Sequence, residues 1–248
     1  MPPDQPGYKS QYDHLWKHLA ASGQAHARAV GGDFEIAGRL EFALLRSCGL
    51  TPESSVIDVG CGSGRLAAQL APGLRGGYLG TDILPSLLEH ARQLCGRPDW
   101  RFVETNGESI PAADESADFV CFFSVFTHLS HEQTWRYLLE SKRVLRPGGK
   151  IVCSFLEFKI RSHWTVFEQT FANQDPRKVL SQFLSRDAFE AFAFNAALDL
   201  EAFHDGDKPH IPFAGEVVWE SGLRMSGLGH LGQSVCVLRK PLIARPVP

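Results

Sequence analysis

Residues 56–67, VIDVGCGSGRLA, constrain the fold of this 248-residue chain more than any other stretch. An apolar run is followed by glycines at alternate positions, Gly60, Gly62 and Gly64, and then by residues typical of a helix. Glycines let the backbone turn tightly and let a ligand approach it closely, and the first turn of a helix offers unpaired N–H groups. The stretch therefore predicts a strand, a ligand-binding turn and a helix.

Short apolar segments alternate with helical patterns along residues 55–155. The predicted strands cover 55–59, 78–82, 101–104, 117–125 and 151–155, and predicted helices cover 65–70, 85–94 and 131–145. Several of these strands are apolar on both faces, as strands buried in a parallel sheet are. Ser130 and Gln133 form a capping box at the start of the third helix, and Pro-Gly-Gly at 147–149 is predicted to end it. The alternation predicts an α/β fold with an open, doubly wound sheet.

The segments on either side of this alternation are less regular. Residues 1–50 are predicted to form N-terminal helices, the second of them capped by Asp33 and followed by Gly49. The main domain is predicted to cover residues 51–248. Its last quarter is predicted to hold a helix capped by Ser185, with Leu184 and Phe189 as a hydrophobic staple, and strands at 198–203 and 234–238.

Three segments are candidate lids over a substrate site. Residues 159–184 and 206–232 are longer than the usual connections between elements, and long loops often carry function. The third is the N-terminal segment with Tyr8, Tyr12 and Trp16. Aromatic side chains that could form walls of the site are Trp16, Phe123, Phe126, Trp164, Phe167 and Trp219.

Composition argues against several classes of function. The net charge is −3, and the 25 Lys and Arg residues are scattered, so no nucleic-acid partner is expected. No apolar stretch approaches the roughly 20 residues of a membrane span, and the amino terminus lacks the apolar core of a signal peptide. A cytoplasmic location without a membrane partner is therefore expected. The six cysteines form no Cys-x-x-Cys pair, and HLSHE at 128–132 is not a zinc motif, so buried free thiols and no metal are expected.

The glycine spacing distinguishes between two nucleotide cofactors. The dinucleotide pattern G-x-G-x-x-G would place its third glycine at position 65, which is Arg65. Asp58 within the strand suits a ligand that carries its own positive charge. Asp82 ends the second strand, where an acid can accept hydrogen bonds from both hydroxyls of a ribose. Both cofactors contain a ribose, so Asp82 fits either one. The glycine spacing, however, does not indicate the pyrophosphate of a dinucleotide.

Residues 55–155 resemble the class I S-adenosylmethionine-dependent methyltransferases. The resemblance rests on the glycine loop, Asp82, Asn106 in FVETNGESIP, SVFTHL at 124–129 and RVLRPGG at 143–149, in this order. It implies a Rossmann-like, mostly parallel seven-stranded sheet with S-adenosylmethionine as cofactor and S-adenosylhomocysteine as product. The cofactor-binding residues it implies are Asp58, Gly60, Cys61, Gly62, Gly64, Asp82, Ile83, Asn106, Gly107, Glu108, Phe123 and Ser124. Asn106 departs from the Asp of many members, although its amide oxygen can still accept a hydrogen bond from adenine.

The end of the fourth strand is the expected wall of the reaction site. Methyl transfer is an in-line displacement, so positioning supplies much of the acceleration, and a base helps when the acceptor is a hydroxyl. His128 is the candidate base, although a role in capping or packing the next helix stays open. Ser124 is expected to contact the cofactor through its backbone. The segment Phe-Ser-Val-Phe at 123–126 replaces the Asp/Asn-Pro-Pro-Tyr of members that methylate exocyclic amino groups, which argues against that subclass.

The function favoured by the resemblance is methyl transfer to a hydroxyl or amine of a small molecule. Gly-Arg-Leu after the glycines together with SVFTHL is similar to a bacterial branch that acts on sugars or other small molecules in biosynthesis. Two alternatives stay open: a catalytically inactive partner subunit that only binds the cofactor, and an NAD(P)-dependent oxidoreductase, against which Arg65 counts. The sequence does not predict the oligomeric state.

Overall fold

The computed structural model describes residues 10–11, 33–107, 109–175 and 178–243. The helices of residues 33–243 are α1 (Phe34–Ser47), α2 (Arg65–Leu70), α3 (Pro85–Cys95), α4 (His131–Val144), α5 (Arg161–Ala172) and α6 (Arg186–Asn195). The strands are β1 (Val56–Val59), β2 (Tyr78–Asp82), β3 (Arg101–Glu104), β4 (Ala117–Phe122), β5 (Leu145–Phe155), β6 (Asp199–His204), β7 (Ile211–Val218), β8 (Arg224–Gly229) and β9 (Ser234–Arg239). The predicted alternation of strands and helices is confirmed from β1 to β5.

Seven of these strands form one sheet in the order β3-β2-β1-β4-β5-β9-β6. Neighbouring strands run parallel except at β9, which is antiparallel to both β5 and β6. The predicted doubly wound, mostly parallel, seven-stranded sheet is therefore confirmed. The strand order reverses between β1 and β4, and ligands of open α/β sheets bind beyond the carboxyl ends of the strands at such a point.

The core lies on both faces of this sheet. Ile57 and Val59 of β1 pack in one apolar cluster with Phe122 and Leu138. Val56, on the other face of the strand, belongs to a second cluster that includes Leu44 of α1. Each of these buried side chains stabilises the fold by about 1.5–3 kcal/mol relative to exposure. The two buried faces explain why the strands of the sequence are apolar without alternation.

Two helix ends differ from the sequence prediction. Asp33 occupies the N-cap position of α1, but its side chain makes no capping hydrogen bond. Its Oδ1 instead accepts a hydrogen bond from the backbone N–H of Glu220 at 2.8 Å, because the β7–β8 hairpin packs beside α1. Helix α4 has the predicted capping box but ends at Val144, before Pro-Gly-Gly. Those three residues lie inside β5, where the register against β4 shifts.

The region from Ser185 onward also differs from the sequence prediction in some details. Ser185 stands at the N-cap position of α6 without a side-chain capping bond, whereas Leu184 and Phe189 are both buried, as a staple requires. Residues 206–232 hold the β7–β8 hairpin, which packs on α1 and places Arg39 Nη2 3.4 Å from the carbonyl oxygen of Ala214. All six cysteines are free thiols, and four of them are buried.

Residues 159–184 form α5 and an extended segment, residues 178–184, which we call the strap. The backbone N–H of Gln182 donates to the carbonyl of Thr127 at 2.7 Å, and that of Leu184 donates to the carbonyl of Leu156 at 2.9 Å. These bonds tie the strap to the loop after β4 and to the residue that follows β5. Tyr8, Tyr12 and Trp16 lie outside the described residues, so the N-terminal lid stays a prediction. No helix within the described ranges has the length and apolar character needed to cross a membrane.

Candidate cofactor and acceptor site

A cavity of about 1270 Å³ opens where the sequence predicts the site. It lies beyond the carboxyl ends of β1, β2, β3 and β4. The predicted site residues that line it are Asp58, Gly60, Cys61, Gly62, Asp82, Ile83, Asn106, Gly107, Phe123, Ser124 and His128. Gly64 is not among the lining residues, and Glu108 lies outside the described part of the chain. The fold thus brings together residues from four separate turns.

The glycines of the loop have different structural roles. All three have positive φ, 70° at Gly60, 54° at Gly62 and 93° at Gly64, a region that other residues rarely adopt. A Cβ on Gly60 would stand 2.5 Å from Cγ2 of Val125, so this glycine permits the loop after β4 to approach. A Cβ on Gly64 would stand 2.9 Å from Cβ of Ala91 in α3. Gly64 therefore packs between α2 and α3, and its contact with the cofactor stays a prediction.

Two backbone N–H groups hold the carboxylate of Asp82 in place. Its Oδ2 accepts a hydrogen bond from the N–H of Gly62, and its Oδ1 accepts one from the N–H of Leu84, each at 3.0 Å. Burial raises the pKa of Asp82, and these backbone hydrogen bonds act in the opposite direction. Each carboxylate oxygen keeps a further lone pair. The side chain can thus accept hydrogen bonds from two neighbouring hydroxyls.

A buried group of charges lies beside the glycine loop. Glu41 of α1 is 2% exposed and forms an ion pair with Arg65, with Oε1 and Nη2 2.6 Å apart. Asp58 Oδ2 accepts a hydrogen bond from the hydroxyl of Tyr78 at 2.8 Å. Burial and the nearby Glu41 raise the pKa of Asp58 to about 7, although the Tyr78 hydrogen bond opposes this. Glu41 Oε2 is buried without a hydrogen-bond partner among the described residues.

Sequence reasoning missed Glu41, which lines the cavity together with Arg65. The signal was its position in α1. Ala37, Leu40 and Leu44 form the buried face of that helix, and Glu41 follows Ala37 by four residues and precedes Leu44 by three. A carboxylate on an apolar helix face is costly unless it is paired, so its position alone points to a partner or ligand.

The backbone at the end of β4 is held in an unusual conformation. Ser124 has φ 60°, which is strained for a residue other than glycine. Its N–H donates to Ser154 Oγ at 2.8 Å, and its Oγ accepts from Gln233 Nε2 at 3.0 Å. Ser154 Oγ in turn donates to Gln233 Oε1 at 2.7 Å. Gln233 lines the cavity, and no local sequence pattern identifies it because it lies 109 residues from Ser124.

His128 lines the cavity and contacts the strap. Its Nδ1 lies 3.2 Å from the carbonyl oxygen of Leu180. A carbonyl can only accept, so Nδ1 carries the hydrogen and Nε2 has the lone pair. Burial lowers the pKa of His128 to about 4, which keeps the ring neutral at neutral pH. The cap of α4 is Ser130, so the structure does not give His128 the capping role that the sequence left open.

Comparison with known proteins agrees with this geometry. Residues 57–153 match the family model described as a methyltransferase domain. The chain is 30% identical to a malonyl-[acyl-carrier protein] O-methyltransferase of Hahella chejuensis over 160 residues, which are 60% of this chain and 55% of that protein. It is 34% identical to a demethylmenaquinone methyltransferase of Tropheryma whipplei over 117 residues, 46% of each chain.

The chain thus spans about half the length of these two relatives. Among solved structures, a magnesium protoporphyrin IX methyltransferase of Synechocystis with bound S-adenosylhomocysteine aligns with a TM-score of 0.62 at 14% identity. The alignment covers 92% of this chain and 99% of that one. This likeness confirms the Rossmann-like fold. The domain match and the names of the two relatives agree with the enzyme class that the sequence predicts.

The cavity has two chemically different halves. The charged half is formed by α1 and the turns after β1, β2 and β3, and its charged lining residues are Glu41, Asp58, Arg65, Asp82 and Glu104. The neutral half is formed by the loop after β4, the elements around the strap and the turn before β9. Its lining residues are Thr127, His128, Leu156, Val166, Val179, Ser181, Leu231, Gly232 and Gln233. The described lining of the neutral half contains no Asp, Glu, Lys or Arg.

The predicted aromatic walls are mostly absent from this lining. Phe123 lines the cavity, but Phe126 is fully buried in the core. Trp164 and Phe167, which were possible walls of the site, are not among the lining residues, and Val166 is the residue of α5 that lines the cavity. Trp219 packs against the apolar cluster around α1. Trp16 lies outside the described residues, which also contain no group of three His, Cys, Asp or Glu arranged to hold a metal.

The two candidate lids also differ in their relation to the cavity. Val166, Val179 and Ser181 of residues 159–184 line the neutral half. From residues 206–232 only Leu231 and Gly232 line it, since the β7–β8 hairpin packs on α1. The geometry therefore favours α5 and the strap as the segment that covers an acceptor.

Proposed function

We propose that this protein transfers the methyl group of S-adenosylmethionine to a hydroxyl or amine of an uncharged small molecule. The observation that carries the proposal is the division of one cavity into a charged half beside the glycine loop and a neutral half beside His128. The bound cofactor would supply an electrophilic methyl group on a sulfonium. The protein's own residues would hold cofactor and acceptor in line, which is the main requirement of such a displacement.

The charged half fits the parts of the cofactor in order. Asp82 accepts from the ribose hydroxyls, because Gly62 and Leu84 fix its carboxylate without using all of its lone pairs. Asn106 and Gly107 lie after β3 and would contact the adenine. The methionine end carries an ammonium and a carboxylate, and the group of Glu41, Asp58 and Arg65 offers both signs of charge for them.

The neutral half would hold the acceptor. His128 is neutral and its Nδ1–H is directed at the strap, so Nε2 is the nitrogen that can accept a proton from an acceptor hydroxyl. Apolar side chains such as Val166 and Val179 favour an acceptor with apolar surface over a charged one. A base is needed to take the proton from a hydroxyl acceptor but not from a neutral amine. The presence of His128 at the site therefore favours a hydroxyl as the acceptor group. The hydroxyl of a sugar or of a natural-product intermediate is an acceptor of this kind.

The names of the two relatives support a small organic group as acceptor, since one is named for a malonyl group on a carrier protein and the other for demethylmenaquinone. The alternatives are a partner subunit that binds the cofactor without catalysis, and an oxidoreductase. The second alternative requires a dinucleotide, which Arg65 at the third glycine position disfavours.

The test is calorimetric titration of the protein with S-adenosylhomocysteine and, separately, NADH. We expect binding of the first ligand only, weakened by about tenfold or more in Asp82→Ala because a charge-assisted hydrogen bond is lost. Asp114→Ala is the matched control, since that carboxylate is 72% exposed and does not line the cavity. Binding of NADH alone would favour the oxidoreductase. Tight cofactor binding without S-adenosylhomocysteine production from any hydroxyl or amine in an acceptor panel would favour the inactive subunit.

A further inference from the structure

An exposed patch of large apolar side chains lies on the outer side of the cavity wall. We call it the outer aromatic patch, and its members are Phe158, Trp164, Phe167, Phe171, Leu180 and Phe183. Phe171 is 74% exposed, Phe158 57% and Trp164 45%. The rings of Phe158 and Phe183 stack with centroids 4.3 Å apart, and those of Trp164 and Phe167 are 4.8 Å apart. Contiguous exposed apolar surface of this kind marks an interaction site.

Helix α5 directs its apolar face away from the core. Trp164, Phe167 and Phe171 follow at spacings of three and four residues and therefore share one face. The buried side chain of this helix is His163, and Val166 lines the cavity. In the strap, Val179 and Ser181 line the cavity, whereas Leu180 is exposed and Phe183 stacks on Phe158. The outer aromatic patch is thus the back of the wall that encloses the neutral half.

The patch lies in a positively charged stretch of an acidic chain. Residues 158–183 contain four basic residues, Lys159, Arg161, Arg177 and Lys178, against two acidic ones, Glu168 and Asp175. The whole chain has a net charge of −3. Lys159 is 54% exposed next to Phe158, and Arg161 is exposed at the start of α5. Helix α5 itself contains Arg161 and Glu168, whose Oε1 accepts a hydrogen bond from Trp164 Nε1 at 2.9 Å, so the positive excess comes from the residues on either side of the helix. An aromatic helix face flanked by basic residues is one feature of a segment that lies in a membrane interface.

We propose that the outer aromatic patch docks on a membrane surface that contains anionic phospholipid. Trp and Phe place their rings at the level of the headgroups and upper acyl chains, and Lys159 and Arg161 are attracted to the negative headgroups. A second copy of the chain is disfavoured as the occupant. In a two-fold interface the same patch meets itself, which would bring the basic side chains of both copies together. The docking does not depend on the proposed function, but it would bring the neutral half next to the phase in which an apolar acceptor dissolves.

The test is flotation of the full-length protein with vesicles of phosphatidylcholine alone and with vesicles of equal parts phosphatidylcholine and phosphatidylglycerol. We expect the protein to float with the anionic vesicles, and the partition coefficient to fall by about tenfold or more in Trp164→Ser/Phe171→Ser because the inserted apolar area is lost. Lys159→Gln/Arg161→Gln should lower the coefficient about fivefold for each charge, and added salt should have a similar effect on the unmodified protein. Phe194→Ser is the matched control, because Phe194 is 67% exposed on α6 outside the patch.

Three further measurements distinguish a loss of membrane binding from unfolding of the variants and from a loss of the proposed methyl transfer. Each variant should keep its circular dichroism spectrum and its affinity for S-adenosylhomocysteine. Brominated phosphatidylcholine in the anionic vesicles should quench tryptophan fluorescence, and Trp164→Phe should reduce the quenching while it leaves flotation unchanged. Absence of flotation, or flotation that the patch variants do not change, would overturn the proposal. So would a dimer in sedimentation equilibrium that dissociates in Trp164→Ser/Phe171→Ser, since the patch would then serve self-association.

Discussion

The charged half and the neutral half of the cavity are built in different ways. The charged half comes mainly from successive turns after β1, β2 and β3, in which two backbone N–H groups fix the carboxylate of Asp82. The neutral half combines the loop after β4 with residues from α5, the strap and the turn before β9. Local sequence patterns determine most of the charged half, whereas the tertiary fold brings together the residues of the neutral half. Substitutions in the two halves should therefore change different measured quantities.

The largest effect is expected in the neutral half, at His128. Asn in its place can still donate a hydrogen bond to the carbonyl of Leu180 but lacks the Nε2 lone pair. With a hydroxyl acceptor from the panel, His128→Asn should lower kcat by about 10²- to 10⁴-fold, the usual contribution of a general base. The dissociation constant of S-adenosylhomocysteine should not change. Product formation and calorimetry measure the two quantities.

The control for this variant is His131→Asn, because His131 is exposed at the start of α4 and does not line the cavity. Its kcat should equal that of the unmodified protein. Because burial lowers the pKa of His128 to about 4, the kcat of the unmodified protein at saturating S-adenosylmethionine should be independent of pH from neutrality downward and should fall only near pH 4. A His128→Asn variant with full activity on the hydroxyl acceptor would show that His128 is not the base.

The next largest effect is expected in the charged half, at Gly60. Alanine there would have to adopt φ 70° and would place Cβ 2.5 Å from Val125 Cγ2. The left-handed conformation alone costs about 1–2 kcal/mol. We expect Gly60→Ala to raise the dissociation constant of S-adenosylhomocysteine by about tenfold to a hundredfold and to leave the KM of the acceptor unchanged. Calorimetry and steady-state kinetics together test this separation of the halves.

Gly64→Ala tests whether cavity lining, and not positive φ alone, explains the expected effect at Gly60. Gly64 also has a positive φ but does not line the cavity. We expect this variant to lower Tm and to bind S-adenosylhomocysteine with unchanged affinity. Gly73→Ala is its control, because no atom lies within 4 Å of the added Cβ. Weaker cofactor binding without a lower Tm would support the binding role that the sequence predicts for Gly64.

The sequence predicts the charged half well because its determinants are local. A buried strand, three spaced glycines and an acid at the end of the next strand are each visible within a few residues, and the fold places Asp82 beside Gly62 as this pattern requires. Glu41 was missed because its partner, Arg65, lies 24 positions along the chain and the pairing exists only after α1 packs on α2. The unexpected hydrogen bond of Asp33 with Glu220 has the same origin, since their separation is 187 residues.

The neutral half could be predicted only in part. His128 was found because it follows the fourth strand directly, a position that the fold class places at the cavity. Gln233 could not be predicted, and the strap was predicted only as part of the candidate lid 159–184, since the contacts of Gln233 with Ser124 and of Leu180 with His128 link distant segments. The structure does not place Trp164 and Phe167 in the cavity lining. The sequence could not show this, because it gives the spacing of the apolar residues in α5 but not the side of the helix on which the sheet lies.

The smallest effect concerns the pH dependence of cofactor affinity and again belongs to the charged half. Burial raises the pKa of Asp58 from an ordinary value of 3.8 to about 7, so the carboxyl is largely protonated below that pH in the free protein. S-adenosylmethionine is cationic at its sulfonium and ammonium, and it favours the ionised form. Binding should therefore release a proton below about pH 7, and the affinity should rise with pH by at most tenfold per unit until it levels above that pH.

Asp58→Asn should abolish this rise, because the amide oxygen can still accept the hydrogen bond of Tyr78 but cannot ionise. Thermal denaturation gives an independent measure. A group whose pKa is raised in the folded state stabilises the fold below its ordinary pKa, and this stabilisation is lost as the pH rises through the folded value. The Tm of the free protein should thus fall between about pH 4 and pH 7, and S-adenosylmethionine should restore more of it at the upper end. An affinity that is equally pH-dependent in Asp58→Asn would assign the titration to another group of the charged half, such as Glu41, whose pKa is also raised by burial.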